Sequence, residues 1–295
     1  MKESVFVPSH ITGIFNINES QNPLEKGSCG AGFLLNKGVI TKIKESSKDD
    51  VSIIINGKDD KKNDLILKET LKLLNIDSGL KITQNIQVPI GSGFGTSASS
   101  ALGLAIASSK LLDLNYDFIK CGEIAHLAEV RLGSGLGDVI AELSKGLVER
   151  IKAGAPGNGL VRTIKIPNKV YVTCKTFSKI NTKDIILNDN YKNIINDIGT
   201  ELLFKFGKNP NLENFLKYSL EFSKKTNLIS KDVLEAIEIF NKNKEVLGSS
   251  MAMLGNTVFA LSLDENVLKS IDIDGLNFYE IDLEGIKIDW TYLWY

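Results

Sequence analysis

Two acids flank a glycine-broken turn in mid-chain: Glu129, and nine residues on Asp138, at the end of Gly133-Ser-Gly-Leu-Gly-Asp138. Carboxylates on either side of one tight turn can hold a hard cation between them. Upstream runs Pro89-Ile-Gly-Ser-Gly-Phe-Gly-Thr-Ser-Ala-Ser-Ser100, whose glycines let backbone N–H groups converge and whose end opens a helix. A strand, a glycine-rich turn and a helix start together make an anion site, and phosphate is the natural guest. A Walker A loop is excluded, because Gly95-Thr-Ser has no lysine. Gly93-Phe-Gly95-Thr-Ser-Ala98 fits the G-x-G-x-x-A of a dinucleotide turn. The following twenty residues should then return as a strand ending in an acid, and they read instead as helix, turn and helix. A turn without a ligand fits less well, since Thr96, Ser97, Ser99 and Ser100 make the helix start more polar than packing requires.

Other residues carry weaker signals. Glu123-Ile-Ala-His126 has the Glu-x-x-His spacing of a di-iron helix, but that site needs the motif twice and the only other histidine is His10. Arg131, Arg150 and Arg162 are the only arginines among 35 basic residues, and they fall in one segment. Lysine does not replace a planar fork for carboxylate or phosphate, so each of the three is a candidate anion anchor. A third small-residue cluster, Gly248-Ser-Ser-Met-Ala-Met-Leu-Gly255-Asn-Thr257, lies between a predicted helix and strand. Three such clusters, with an acid pair beside the middle one, favour phosphoryl transfer over a bland turn-rich fold.

The elements that must position these residues are legible from periodicity and punctuation. Short β-favouring runs are predicted at 4–8, 32–41, 51–56 and 81–89, with one amphipathic helix at 64–74. Helices follow at 98–112, 117–132 and from 138 to 144. The turn cluster Gly154-Ala-Pro-Gly-Asn-Gly159 precedes a predicted strand pair at 160–166 and 169–176. Helices at 191–207, 211–227 and 231–241 and strands at 248–263 and 277–288 complete the chain. Strands and helices without regular βαβ alternation indicate an α+β fold.

A length of 295 residues corresponds to about two domains with a core that needs no staples. The 43% hydrophobic and 24% charged composition is that of a globular protein, and a net charge of −1 offers no field to gather nucleic acid or an anionic membrane. No apolar run is long enough to span a bilayer, and the start of the chain lacks a secretory pattern, so a cytoplasmic location is expected. Cys29, Cys121 and Cys174 are odd in number and widely spaced, which argues against a disulfide framework and a zinc site.

Pro89 to Ser99 resembles the second motif, P-x-x-x-G-L-G-S-S-A-A, of the GHMP kinases (galactokinase, homoserine kinase, mevalonate kinase and relatives), and Gly248 to Thr257 resembles the third. The resemblance runs nearly end to end and is thinnest over 185–245. Val7-Pro-Ser-His-Ile-Thr-Gly-Ile-Phe15 and Gly27-Ser-Cys-Gly-Ala-Gly-Phe-Leu-Leu-Asn-Lys-Gly38 are similar to the archaeal branch that phosphorylates pantoate to 4-phosphopantoate on the route to coenzyme A. The resemblance implies a two-domain fold with ATP and substrate between the domains. Residues 1–165 would form the ATP-binding and catalytic domain, like domain 2 of ribosomal protein S5, and residues 166–295 a ferredoxin-like domain.

Carried over by residue, the resemblance assigns Pro89, Gly91, Gly93, Phe94, Gly95, Thr96, Ser97, Ala98 and Ser99 to the ATP phosphates. It assigns Ser97 and Glu129 to Mg2+, and Asp138 to the proton of the substrate hydroxyl. Pantoate has a carboxylate, so a guanidinium is expected in its pocket, with Arg150 the first choice and Arg131 the second. Ser28 and His126 are expected as substrate or structural neighbours. The first motif departs from many relatives, with His10 in place of a lysine and Ser9 in place of a glycine, which puts more weight on Asp138 as base or positioning group. A homodimer is compatible with the family. Two alternatives stay open: a GHMP-type kinase for another small alcohol such as homoserine, mevalonate or a sugar, and a non-catalytic nucleotide-binding protein of the same fold.

Overall fold

The structure is a computed structural model, and it describes residues 2–47, 49–59, 64–178 and 188–288. Two long strands set the frame. β1 (Lys2–Asn18) and β2 (Gly27–Glu45) form an antiparallel hairpin, paired from Lys2↔Lys44 to Asn18↔Gly27. β3 (Val51–Ile55) pairs parallel with β4 (Leu80–Ile86), and β4 pairs antiparallel with the C-terminal half of β2. The N-terminal half of β2 is free on that side to pair with β5 (Leu147–Lys152), which carries β6 (Leu160–Ile164). A short last strand, β11 (Lys287–Ile288), closes the far edge against β1 and completes a seven-stranded sheet. The second sheet is antiparallel in the order β10-β7-β9-β8, from β7 (Tyr171–Ser178), β8 (Val246–Ala252), β9 (Asn256–Ser262) and β10 (Asn277–Glu280).

Helices α1 (Leu65–Leu73), α2 (Thr96–Leu111), α3 (Phe118–Leu132) and α4 (Asp138–Glu142) belong to the first half. α5 (Asp189–Lys208), α6 (Leu212–Lys225), α7 (Lys231–Phe240) and α8 (Glu265–Lys269) follow in the second. α2 is buried nearly all round, packed against β1, β2, α1 and α3. Its Ala, Ser and Gly content makes that possible: a Cβ on Gly103 would stand 2.7 Å from Thr41 Oγ1. α3 starts at Asp117, whose side chain accepts from the Lys120 N–H, and ends at Gly133 with φ 63°, a left-handed C-terminal cap that turns the chain back toward α4. Among the described residues no helix is long and apolar enough to cross a membrane. All three cysteines are free thiols.

The predicted helices correspond to observed ones within a few residues. The strands differ more. The runs predicted at 4–8 and 32–41 are parts of strands of 17 and 19 residues. Pro8, Gly30, Gly32 and Gly38 break the alternation that a sequence reading follows, yet here they sit inside paired strands, with register shifts at Pro8/His10 and Thr12/Ile14. β5 was not predicted. The strand pair expected at 160–166 and 169–176 is not a pair: β6 joins β5 in the first sheet, and β7 joins β9 and β10 in the second. The run expected at 248–263 is the hairpin of β8 and β9, and 277–288 divides between β10 and β11.

Aromatic rings tie the two sheets together. Phe215 of α6 packs edge-on to Phe33 of β2 with centroids 5.8 Å apart, stacks on Phe259 of β9 at 6.3 Å, and meets Phe206 of α5 at 6.4 Å. All four rings are fully buried. Phe215→Ala is expected to cost about 3 to 5 kcal/mol, the size of a buried aromatic truncation that the site cannot refill. Chemical denaturation measures it; a loss below about 1 kcal/mol would show that the junction repacks.

Candidate active site

One cleft gathers the glycine loop, the turn between α3 and α4, the middle of β1 and the turn joining β8 to β9. The loop is built on conformation. Gly91, Gly93 and Gly95 have φ of 71°, 85° and 63°, the left-handed region that a side chain would strain. Gly95 is also the N-cap of α2 and offers no side-chain cap, so the first N–H groups of a 16-residue helix open toward the cleft. The third small-residue cluster backs this loop. A Cβ on Gly255 would fall 2.0 Å from the Ser92 carbonyl oxygen, and the Thr257 hydroxyl donates to that same oxygen at 2.8 Å.

Glu129 and Asp138 are brought together, as their spacing requires of a shared site. Glu129 is buried at the end of α3 and accepts a hydrogen bond from Ser134 Oγ at 3.3 Å, while Ser97 Oγ donates to Ser134 Oγ at 3.0 Å. Burial, and then the negative charge of Asp138, push the Glu129 carboxyl up to about 8. Asp138 opens α4 with 27% of its side chain exposed to the cleft. Desolvation raises its pKa, but the hydrogen bond to His10, with Arg150 and Thr12, outweighs that and holds it below the usual carboxylate range. A third acid, Glu142, is fully buried one helical turn after Asp138. It accepts from Ser99 Oγ at 2.8 Å, and burial together with the Asp138 charge raises it well above an ordinary glutamate.

The three arginines separate. Arg131 pairs with Glu69 at 2.9 Å on the outer side of α3, and Arg162 pairs with Glu149 at 2.5 Å. Arg150 is buried in the cleft wall, with Nε donating to the Ser28 carbonyl at 3.4 Å and Nη1 to Thr12 Oγ1 at 3.3 Å. Among the described residues no carboxylate lies within 4.0 Å of it in an ion pair. Gly30 and Gly137 make its room, since a Cβ on either would come within 2.7 Å of the guanidinium. Ser28 lines the cleft beside it. His126 does not reach the cleft: its buried ring contacts the Pro23 and Lys26 carbonyls through Nε2 at 3.1 and 2.9 Å and pins the turn that leads into Ser28. Of the loop residues expected at the phosphates, Gly91 and Gly93 to Ser97 line the cleft. Pro89, Ala98 and Ser99 stand behind it, Ser99 as the partner of Glu142.

Sequence reading did not single out Thr12, Ser134 and Glu142. Thr12 follows His10 by two in the first motif, and Glu142 follows Asp138 by four on one helical face, but both spacings are common enough to carry no signal alone. A cation fits the donor set. The carboxylate of Glu129 and the hydroxyls of Ser97 and Ser134 are hard oxygen ligands, and this buried acid, held at about 8 by burial and by Asp138, has no positive partner among the described residues.

The GHMP kinases N-terminal domain model matches residues 64–146, a span holding the glycine loop and all three acids. Pantoate kinase of Methanocaldococcus jannaschii is 38% identical over 272 residues, covering 91% of this chain and 96% of the relative. Pantoate kinase of Thermococcus kodakarensis is 33% identical over 279 residues, covering 90% and 89%. A solved structure described as a phosphotransferase related to the CoA biosynthesis pathway superposes with a TM-score of 0.87 at 28% identity, covering 98% of both chains. The chain belongs to the GHMP kinase family, and the expected α+β architecture is the one observed.

The raised pKa of Glu129 has a consequence for stability. The folded chain holds this proton to about pH 8, whereas an unfolded glutamate loses it near 4.5, so the folded state binds more protons between these values and stability falls as pH rises. From about pH 7 to 8.5, without divalent cation, wild type is expected to lose about 1 kcal/mol more than Glu129→Gln, or about 2 to 4 °C in Tm. Thermal melts of both proteins at the two pH values test this, and parallel losses would show that Glu129 ionises as an ordinary acid.

Proposed function

We propose that this chain transfers the γ-phosphoryl group of ATP to the terminal hydroxyl of pantoate, giving 4-phosphopantoate and ADP. The observation that carries this reading is Arg150: a buried guanidinium with no carboxylate at ion-pair distance among the described residues, set in the same cleft wall as Asp138 and the glycine loop. A substrate that brings its own carboxylate completes that fork. Phe15, Leu136, Met253 and Leu254 add an apolar face suited to the dimethyl carbon of pantoate. The family relatives named pantoate kinase support the same substrate.

The residues divide the work. The N–H groups of the loop and of the start of α2 hold the phosphates, which are the negative groups that a helix N-terminus favours. Ser97 and Glu129 would hold Mg2+, which supplies charge neutralisation on the phosphates when bound. Asp138 orients the hydroxyl and accepts its proton as the bond from that oxygen to phosphorus forms and the bond to the ADP oxygen breaks. A carboxylate held in its charged form is a weak base. It suffices because phosphoryl transfer has a loose transition state, in which the hydroxyl gives up its proton late. Arg150 fixes the far end of the substrate, so that the hydroxyl is held at the phosphoryl group rather than sampled by diffusion.

ADP release with ATP and Mg2+ against pantoate, homoserine, mevalonate and no substrate is the direct test. Turnover confined to pantoate is expected, and turnover with another alcohol alone would overturn the substrate. Asp138→Asn is expected to lower kcat by about 10² to 10⁴ with nucleotide binding retained; near-wild-type turnover would remove Asp138 from proton transfer. Arg150→Lys keeps the charge and loses the fork, and it is expected to raise KM for pantoate by about 10- to 100-fold while KM for ATP moves by less than about threefold. Equal effects on both substrates would place the carboxylate elsewhere.

A further inference from the structure

His10 has no role in the scheme above, yet its ring is fully buried in the catalytic wall. It follows the register shift between Pro8 and His10 in β1, an irregularity of the kind that re-aims a side chain. Nδ1 lies 2.7 Å from Asp138 Oδ1 and 3.4 Å from Thr12 Oγ1. Nε2 has no hydrogen-bond partner among the described residues. It faces Gly32, where a Cβ would stand 2.3 Å from Nε2 and 2.8 Å from Cε1. The glycine is therefore a socket for this ring, and the short contact made by the ring is with the acid.

The tautomer follows from the partner. A carboxylate only accepts, so Nδ1 carries the hydrogen and Nε2 is a bare lone pair. A second proton at Nε2 would leave an unpaired N–H in a dry socket, and burial, which lowers the pKa of the ring, keeps it neutral. The backbone of the same residue grips the other half of the site. Its N–H donates to the Phe94 carbonyl at 3.3 Å, and its own carbonyl oxygen stands 3.3 Å from where a Cβ on Gly95 would lie.

We propose that His10 is a positioning residue for Asp138: its neutral ring fixes one carboxylate oxygen through Nδ1–H, while its backbone fixes the distance from that carboxylate to the glycine loop. Asp138 stands at the mouth of a five-residue helix with more than a quarter of its side chain open to the cleft. Without the ring it has rotamer freedom that phosphoryl transfer cannot use. Displacement of a reacting group by about 1 Å costs about 100-fold in rate.

This inference rests on the assignment of Asp138 as the proton acceptor, and the test separates the two. His10→Phe keeps the ring and removes the donor, and it is expected to lower kcat by about 10- to 100-fold with KM for ATP changed by less than about threefold. His10→Asn puts an amide N–H near the position of Nδ1 and is expected to recover at least about tenfold of that loss. The double variant His10→Phe with Asp138→Asn is expected to be no slower than Asp138→Asn alone, because a positioning residue has nothing left to position. Should His10→Phe fail to fold by circular dichroism and thermal melting, His10→Ala against His10→Asn reads the same contrast, since both are smaller than imidazole and only one restores a donor. Activity of His10→Phe or His10→Ala within about threefold of wild type, equal losses in the Asn and non-donor variants, or losses that multiply in the double variant overturn the positioning role. Near-wild-type activity of Asp138→Asn overturns the parent assignment instead.

Discussion

Glu129 and Asp138 line one cleft and Glu142 lies fully buried behind its glycine loop, and like charges taken out of water together cannot all stay ionised. The structure gives each acid a different answer. Asp138 is the one with a hydrogen-bond donor in His10 and a positive charge in Arg150 at hand, and it is held charged. Among the described residues Glu142 has a single hydroxyl partner, and behind the loop, without access to the cleft, burial and the Asp138 charge raise it well above an ordinary glutamate. Glu129 stands between them, with hydroxyls for partners and its charge opposed by Asp138. Its ionisation waits on a cation from outside. The ranking of three chemically similar side chains is thus made by neighbours drawn from β1, α2, β5 and the turn after α3.

Bringing those neighbours close is a steric problem, and the sheet solves it with missing side chains. Gly30 and Gly137 leave the space that Arg150 fills, and Gly32 leaves the space that His10 fills. A buried guanidinium and a buried imidazole flanking one carboxylate need room in both β2 and the α3–α4 turn at once. The same residues explain the register shifts of β1 near the site: a regular strand would alternate His10 and Thr12 onto one face at a fixed spacing, whereas the shifts at Pro8/His10 and Thr12/Ile14 release that segment to fit the acid.

Much of the site was legible in the sequence because its parts are local. The glycine loop, the helix that follows it and the acids at the end of α3 and the start of α4 all lie between residues 89 and 138, where period and punctuation agree. What stayed hidden was relational. Nothing in the spelling of Arg131, Arg150 and Arg162 says that two form ion pairs with carboxylates of other elements and that one has no such pair among the described residues. His126 reads by type as either a substrate or a structural neighbour, and only the fold shows its ring set against two backbone carbonyls. The long hairpin was shortened by its own glycines and by Pro8, which break local strand propensity because they serve contacts across the sheet. β5 carries Glu149 and Arg150, charged residues in what is nonetheless a buried strand, and so lacks the apolar alternation that announces one.

The second sheet is more than a platform for a second core. Its β8–β9 turn inserts Gly255 against the backbone of Ser92 and Gly93, and β9 adds the Thr257 hydroxyl to the Ser92 carbonyl. Two of the three positive-φ glycines of the loop therefore flank a residue held by the other half of the molecule. Glycines give the loop the conformations it needs, but they also leave it with more backbone entropy to lose than any other sequence would have. The contact from the second sheet supplies the missing restraint at the point where the loop turns toward the cleft. On the opposite side of the loop, the Phe94 carbonyl accepts from the His10 N–H of β1. A loop clasped at Ser92 by one sheet and at Phe94 by the other keeps its N–H groups aimed only while the two sheets hold their mutual position. That position is what the Phe33, Phe215 and Phe259 rings maintain, so aromatic packing remote from the cleft and the aim of the phosphate-facing N–H groups are one mechanical unit.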